Sequence, residues 1–352
     1  MEKIKSLFAA NKRIQTLSFL FVIVFYVVIE ALLKTGNLKS LIASMLVPVS
    51  CYVIVALALN LVVGVSGELS LGHAGFMSIG AFTGVIVAGY LSNIIQQPMV
   101  CFAIAVVFGA IVAGFFGFLI SIPVLKLEGD YLAIVTLAFG QIIKTLINNI
   151  YLGVDNLGFH FSFVKKNFEL QSGGKMFISG PVGATGTTTI SNFTCGVIMI
   201  LLTLVIIFCF INSRYGRAVM ATRDDKIAAQ SMGINIVKTK TIAFVLSAAL
   251  AGAAGVLYGL NFTTLVPSKF DFNTSILILV YVVLGGLGNM LGTLISTVTL
   301  VMLPQLLRFL SDYRMLIYAI LLIAIMILTN NPKVKEMIQV YVYKKKQKGE
   351  TE

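Results

Sequence analysis

Residues 212–241 read NSRYGRAVMATRDDKIAAQSMGINIVKTKT, the longest charged stretch between two strongly apolar runs. The segment carries Arg214, Arg217, Arg223, Asp224, Asp225, Lys226, Lys238 and Lys240. At about 3 kcal/mol per charge at mid-bilayer, burying them would cost on the order of 20 kcal/mol. It therefore lies in water between two membrane spans. Thr222 is placed to cap a helix, and Asp225 three residues later completes a pair resembling a capping box. Asp224 and Asp225 suit the positive end of a helix dipole, and Gly233 suits a helix stop. These signals predict a short helix over 223–232, with Ala228, Ala229 and Met232 as a small apolar face. Such a helix across the cytoplasmic mouth of a membrane bundle has the form of a docking knob. An ordinary solvated loop is the plain alternative, and the residues alone leave both open.

The composition around this segment is that of a membrane protein. The 352 residues are 58% hydrophobic and 11% charged, with a mean hydropathy of +0.97. Soluble domains average about 25% charged residues. The length allows roughly ten spans of about 20 residues and leaves no large soluble domain. A net charge of +12 raises the question of nucleic acid, but the basic residues are not clustered with aromatics on one soluble face. They collect at the ends of apolar runs. Cys51, Cys101, Cys195 and Cys209 lie in or beside spans without metal-ligand spacing and read as small apolar residues. The first apolar run, 17–33, ends in Leu-Lys-Thr-Gly without a small-residue cleavage pattern, so it reads as a retained span.

The expected architecture is all-α, a polytopic bundle of about ten transmembrane helices. Residues 1–13 form a basic N-terminal segment, 14–331 the transmembrane domain with its loop 212–241, and 332–352 a basic C-terminal tail. The spans are expected at 14–33, 41–65, 75–91, 98–122, 131–152, 193–211, 239–260, 274–284, 291–307 and 313–329. With the N-terminus inside, the N-terminal segment, Lys126, the charged loop and the C-terminal tail share the cytoplasmic side and hold 17 of the 26 Lys and Arg residues. That bias puts both termini in the cytoplasm. Five spans per half would make an inverted repeat, an arrangement that rests on counting alone.

Two spans carry small residues at every fourth position, Gly109, Ala113 and Gly117 in one and Ala251, Gly255 and Gly259 in the other. Such rows let helices approach closely in lipid. A different pattern stands at 60–81, NLVVGVSGELSLGHAGFMSIGA. Gly64, Gly67, Gly72 and Gly75 interrupt a helix, and Asn60, Ser66, Ser70 and His73 set polar groups among apolar ones. Backbone that leaves helical geometry at membrane depth must be buried in protein or line a wet cavity, and broken helices often form transport pathways. A cytoplasmic turn between two spans explains the residues equally well. Glu68 and Asp130 read as helix-end charges at the interface, and Lys144 is within reach of the outer interface by snorkelling.

Two of these stretches resemble one family. Gly216, Arg217, Ala218, Arg223, Asp224, Asp225, Ala228, Ala229, Met232, Gly233, Ile234 and Asn235 are similar to the cytoplasmic loop of the branched-chain amino-acid ABC permeases of the LivM type. Lys226 stands where that family usually has an acidic residue. Asn60, Leu61, Gly64, Gly67, Leu69, Ser70, Gly72, His73, Ala74, Phe76, Ile79, Gly80 and Ala81 are similar to the family's glycine-rich motif, and residues 129–138 and 285–292 also look like it. The resemblance implies a type II-like importer permease in a bacterial cytoplasmic membrane. It implies that Gly216, Arg217, Ala218, Arg223, Asp224, Asp225, Ala228, Ala229, Met232 and Gly233 couple to an ATPase. It moves Asn60, Gly64, Gly67, Ser70, Gly72 and His73 toward the translocation pathway. The implied partners are two ATPase subunits, a second related permease, an extracytoplasmic substrate-binding protein and membrane lipid, with no nucleic acid. The implied cargo is leucine, isoleucine and valine, although related permeases carry urea, nucleosides or other amino acids.

The sequence has no G-x(4)-G-K-[ST] phosphate loop. No catalytic constellation, cofactor motif or metal-ligand cluster stands out, so ATP driving transport would have to be bound by another chain. A stand-alone channel or secondary carrier is the competing class, though no embedded acid–base pair of the kind ion coupling uses emerges. The charge distribution yields a topological prediction. In a chain with its native cysteines replaced, Ser213→Cys is labelled only from the cytoplasm and Ser172→Cys only from outside; labelling of both from one side contradicts the ten-span order.

Overall fold

The computed structural model describes residues 2–35, 40–92, 94–127, 129–155, 158–163 and 175–307, with isolated positions between 313 and 327. Contacts divide the chain into two units, Met1–Val298 and Thr299–Glu352. The elements below belong to the first, apart from the last helix, which straddles the boundary.

The apolar runs form helices where their length and composition predict, and the charged segment adds two short ones. They are α1 (Glu2–Lys34), α2 (Ser40–Asn60), α3 (His73–Leu91), α4 (Pro98–Val124), α5 (Asp130–Asn148), α6 (Phe193–Asn212), α7 (Arg214–Asp224), α8 (Lys226–Ser231), α9 (Ile236–Gly259), α10 (Phe272–Gly285) and α11 (Met290–Leu306). Among the described residues, eight helices are long and apolar enough to cross a membrane, and they correspond to the first eight expected spans. The ninth, α11, has 17 residues. The tenth expected span, the C-terminal tail and Ser172 lie outside the described residues, save for isolated positions of that span. The basic residues 2–13 are not a separate segment in backbone terms, because α1 begins at Glu2 and continues into the first span.

Burial sorts these helices into a centre and a rim. In α2 with the turn that follows it, 94% of the most apolar window is buried, against 17% in α1. The centre is α2, α3 and α9, with α4 packed along α3 and α9. Both expected small-residue rows lie at these contacts. A side-chain carbon on Gly255 would collide with the carbonyl oxygen of Met77, and one on Gly80 with the backbone of Gly252. One on Gly252 would meet Ala113 and, at 2.8 Å, the carbonyl oxygen of Gly109. Helices α3, α4 and α9 therefore touch backbone to backbone, the geometry that substitutes for hydrophobic attraction when the solvent is lipid.

The polar segment 153–192 contains strands that the helical patterning does not announce. Strands β1 (Tyr151–Asp155), β2 (Gly158–Ser162) and β3 (Lys175–Ser179) form an antiparallel sheet in the order β2-β1-β3. Strand β4 (Ala184–Thr185) pairs with β5 (Thr264–Leu265) of the link after α9. The connections thus meet in two groups. The links after α5 and α9 join at one end through β4 and β5. The links after α2, α4, the sixth span and α10 meet elsewhere, through contacts described below. This grouping is the one an alternating succession of spans requires.

The close approach of α3 to α9 yields a stability prediction. Overpacking a filled core costs about 1–3 kcal/mol, and here the obstacle is backbone that cannot turn aside. Gly255→Leu should lose the monodisperse, detergent-extracted species in size-exclusion chromatography. Gly140→Ala should retain it, because the nearest atom to an added carbon there is 3.9 Å away.

Candidate functional site

The charged segment forms two helices rather than the single one expected over 223–232. A serine begins the first: Ser213 Oγ accepts the backbone N–H of Gly216 at 3.2 Å, capping α7. Gly216 is buried at this bend, where a side chain would collide with the carbonyls of Phe210 and Ile211. Arg217, one turn on, donates through Nη1 to the Asn212 carbonyl at 2.8 Å, and Ala218 beside it is half-buried.

Asp225 in extended geometry ends α7 and caps α8, its Oδ1 accepting from the N–H groups of Ile227 and Ala228 at 2.9 and 3.0 Å. The expected cap, Thr222, is instead buried inside α7, with its hydroxyl donating to the Val219 carbonyl. The carboxylate wins because an acceptor at the N-cap satisfies two orphan donors and also favours the helix dipole. Gly233 has φ of 80°, the left-handed stop expected of it, and Asn235 caps α9 by accepting from Lys238 N–H.

The apolar face of α8 also differs from expectation. Ala229 is only 5% exposed and turns toward its own chain. Ala228 points outward, and the outward apolar surface is dominated by Ile227, 80% exposed, and Met232, 83% exposed. Ile227 is missed by sequence reasoning because small residues drew the eye to a close-packed face. The i, i+5 pairing of two large apolar side chains across a six-residue helix is the signal that finds it.

The glycine-rich stretch 60–81 is a link between two helices, and its break is shorter than the four glycines imply. Helix α2 ends in a π-helical turn, Leu61–Ser66, that contains Gly64. The chain is irregular only over residues 67–72, and Gly75 already lies within α3. Gly67 has φ of 75°, a conformation that glycine supplies without strain. The N–H groups of Gly67 and Glu68 both donate to the Val62 carbonyl and close the wide turn. Side chains from elsewhere then hold each end.

Before the break, Asn60 is fully buried. Its Nδ2 donates to Thr293 Oγ1 at 2.7 Å, and its Oδ1 accepts the Gly288 N–H at 2.8 Å. This fastens α2 to the glycine turn between α10 and α11. Gly64 has to be glycine here, since a side chain would collide with Asn60 Oδ1 and the Gly288 backbone.

At the far end of the break, Ser70, Gly72 and His73 are buried. His73 Nε2 lies 2.7 Å from Ser247 Oγ of α9, and Nδ1 lies 3.3 Å from Ser70 Oγ. The Ser247 hydroxyl donates to the Ala58 carbonyl of α2. With that single hydroxyl proton committed, His73 Nε2–H donates to Ser247 and Nδ1 accepts from Ser70. Leu71 N–H donates to Thr136 Oγ1 of α5 at 3.0 Å, and an added carbon on Gly72 would lie 2.7 Å from the Thr136 carbonyl. Ser247, Thr136 and Thr293 were not singled out by sequence, although each is a polar residue inside an apolar helix.

The two segments meet. Arg223, at the end of α7, donates through Nη1 to the Gly64 carbonyl at 2.9 Å while pairing with Asp224 at 2.8 Å. Its side chain passes so close to Gly67 that a carbon there would lie 2.7 Å from Arg223 Cγ. On the other flank, Lys240 of α9 forms an ion pair with Glu68 of the break. Lys240 is only 4% exposed, so the end of the charged segment is not in water as its charge implies. Glu68 is likewise buried rather than an interfacial helix-end charge. A cavity of about 280 Å³ lies at this junction, bordered by Gly67, Glu68, Asp130, Arg223, Lys226 and Lys240 among others.

A helix bundle with its charged links sorted to two ends, and with one loop capped and braced against a broken helix, defines a multi-pass membrane permease. The sequence signature described as "branched-chain amino acid transport system / permease component" matches residues 41–327, and the chain belongs to this family. It is 35% identical over 289 residues to the high-affinity branched-chain amino acid transport system permease protein LivM of Salmonella typhimurium. It is 34% identical over 288 residues to LivM of Escherichia coli. Each match covers 78% of this chain and 66% of the relative, so the chain spans slightly less than two thirds of those proteins. The LivH permease of Salmonella typhimurium is 23% identical over 258 residues, 70% of this chain and 78% of that one. No solved structure matches the chain.

The brace on Asn60 gives a direct test of this geometry. Asn60→Leu removes the acceptor of the Gly288 N–H and the amide donor to the fully buried Thr293 hydroxyl, at a cost of about 1–3 kcal/mol, and should lower the thermal unfolding midpoint of the purified protein. An unchanged midpoint would mean that α2 is not fastened to the α10–α11 turn through this residue.

Proposed function

We propose that the chain is a membrane-spanning subunit of an ATP-driven importer of branched-chain amino acids. The cargo is inferred from the printed names of its LivM relatives. The subunit lies in the bacterial cytoplasmic membrane with both termini inside. It works with two ATPase subunits, a second related permease, for which the similarity to LivH offers a type, and an extracytoplasmic binding protein. It is not itself an enzyme, and the ATP is bound and hydrolysed by its partners.

The observation that carries this reading is the form of α8. A six-residue helix would not persist alone in water, yet this one is capped by Asp225 and seated on its own chain through Ala229. It presents Ile227 and Met232 outward. Large apolar side chains held proud of a rigid polar loop fit an anchor-in-pocket contact. We assign the coupling role to this knob, with Gly216, Arg217, Ala218, Arg223, Asp224, Asp225, Ala228 and Gly233 shaping and orienting it. The segment from Asn60 to His73 is proposed as the part of the translocation pathway that responds. In operation, ATP closes the ATPase pair, the knob follows the groove in which it sits, and the helices braced against it exchange an outward-open cavity for an inward-open one. ATP can drive this only through its different affinity for the two states.

The test uses the exposed residues. Met232→Glu or Ile227→Asp should leave the permease in the membrane but cut copurification of the ATPase subunit and uptake of labelled leucine by about tenfold, the effect of losing a contact worth 1.4 kcal/mol. Ala229→Glu should instead disturb the permease itself, because that residue is buried in its own chain. Wild-type copurification and uptake by both Met232→Glu and Ile227→Asp would remove α8 from the coupling role. Full leucine uptake by this chain alone in liposomes would establish a stand-alone carrier.

A further inference from the structure

The coupling reading leaves one element without a part, the buried ion pair between Glu68 and Lys240. Glu68 sits in the break after α2, and Lys240 lies on the first turns of α9, at the end of the charged segment. Both side chains are almost fully enclosed, at 10% and 4% exposure. A buried pair is weak evidence for stability, since desolvation offsets most of the attraction and well-packed apolar residues often do as well. Its distinctive property is asymmetric. Separating the two charges, or removing one, is far more costly than holding both together. The pair therefore behaves as a tie that resists being pulled apart.

The position of this tie gives it a use. Arg223 and Lys240 stand on the two flanks of α8, one at the end of α7 and one at the start of α9. Both reach the same short stretch of chain. Arg223 holds the Gly64 carbonyl inside the π-helical turn, and Lys240 holds Glu68 immediately after it. Glu68 in turn closes that turn through its own N–H, which donates to the Val62 carbonyl at 3.2 Å. A displacement of the charged segment is thus applied to the break at two points, on either side of Gly67, the left-handed residue about which the backbone can bend.

We infer that Glu68 and Lys240 are positioning residues for transport, a tie through which movement of the α7–α8 segment is imposed on the 61–72 break. Neither residue touches the ATPase or the cargo in this scheme. The inference rests on the coupling reading above, and it names the route by which the knob acts.

The experiment compares import per ATP hydrolysed in the complete complex reconstituted with its binding protein. The variants are Lys240→Glu, Glu68→Lys, the exchanged pair Glu68→Lys with Lys240→Glu, and the apolar pair Glu68→Leu with Lys240→Met. Each single reversal should assemble with the ATPase subunit and hydrolyse ATP, but import per ATP should fall about fivefold or more, the lower edge of ordinary coupling free energies. The exchanged pair should recover most of the loss. The apolar pair guards against misfolding, since it keeps the packing without the tie; it should assemble and remain uncoupled. Wild-type import per ATP in the apolar pair overturns the inference, as does an exchanged pair that assembles but recovers nothing. Variants that only lower the amount of complex, with import per ATP unchanged, make the pair structural and overturn it too. The coupling reading fails separately, and visibly, if the unmodified chain does not bind the ATPase subunit.

Discussion

The structure turns on the Gly64 carbonyl, a backbone acceptor inside a π-helical turn at the end of the most enclosed helix of the bundle. A chain that leaves α-helical geometry beside lipid must find protein partners for every group it frees. Here the partner is the guanidinium of Arg223, which belongs to the charged loop 159 residues further on. That hydrogen bond places the polar loop against the apolar bundle. It also requires Gly67 to have no side chain, because the arginine stem runs across it. Asn60, Glu68 and His73 complete the same task, with buried partners on α11 for the first and on α9 for the other two.

These contacts hold the break at its ends and in its middle. Its ends are fixed by neutral hydrogen bonds to α9, α5 and the α10–α11 turn. Its middle is held by two charged side chains that belong to the charged segment 212–241. The α3–α4–α9 contact beside it is backbone on backbone and has no slack. In the coupling proposed above, a load applied at α8 reaches the break through Arg223 and Lys240. A π-helical turn followed by a left-handed glycine is where this chain departs from regular helix geometry.

Much of this was legible in the sequence, and for identifiable reasons. The spans were readable because hydrocarbon admits only long apolar helices, so eight of them are found where composition places them. The small-residue rows at 109–117 and 251–259 were readable because helix packing in lipid has few solutions. Gly233 announced its left-handed turn. The capping residue differs from expectation because Thr222 and Asp225 are both good caps, and sequence cannot say which side-chain oxygen will be aligned with the free N–H groups. Ala229 was placed outside and Lys240 in water because periodicity over so short a segment does not reveal which face is already occupied. The Glu68–Lys240 pair spans 172 residues, and local patterning is blind to a partner at that separation. The strands β1 to β5 escaped because segments of five residues or fewer carry little alternation to read.

The measurement that bears most directly on the link between loop and bundle is the reactivity of the break itself. Leu69 lies between Glu68 and Ser70 and is 40% exposed. In a chain with its native cysteines replaced, Leu69→Cys can be reacted with a maleimide in membranes carrying the assembled transporter, with and without ATP held unhydrolysed. Transmission from the ATPase through α8 to the break predicts a labelling rate that changes when ATP is bound, and a change that vanishes when Arg223 is replaced by Leu. A rate indifferent to ATP in an actively importing complex would contradict it, leaving residues 61–72 as a fixed joint between two helices.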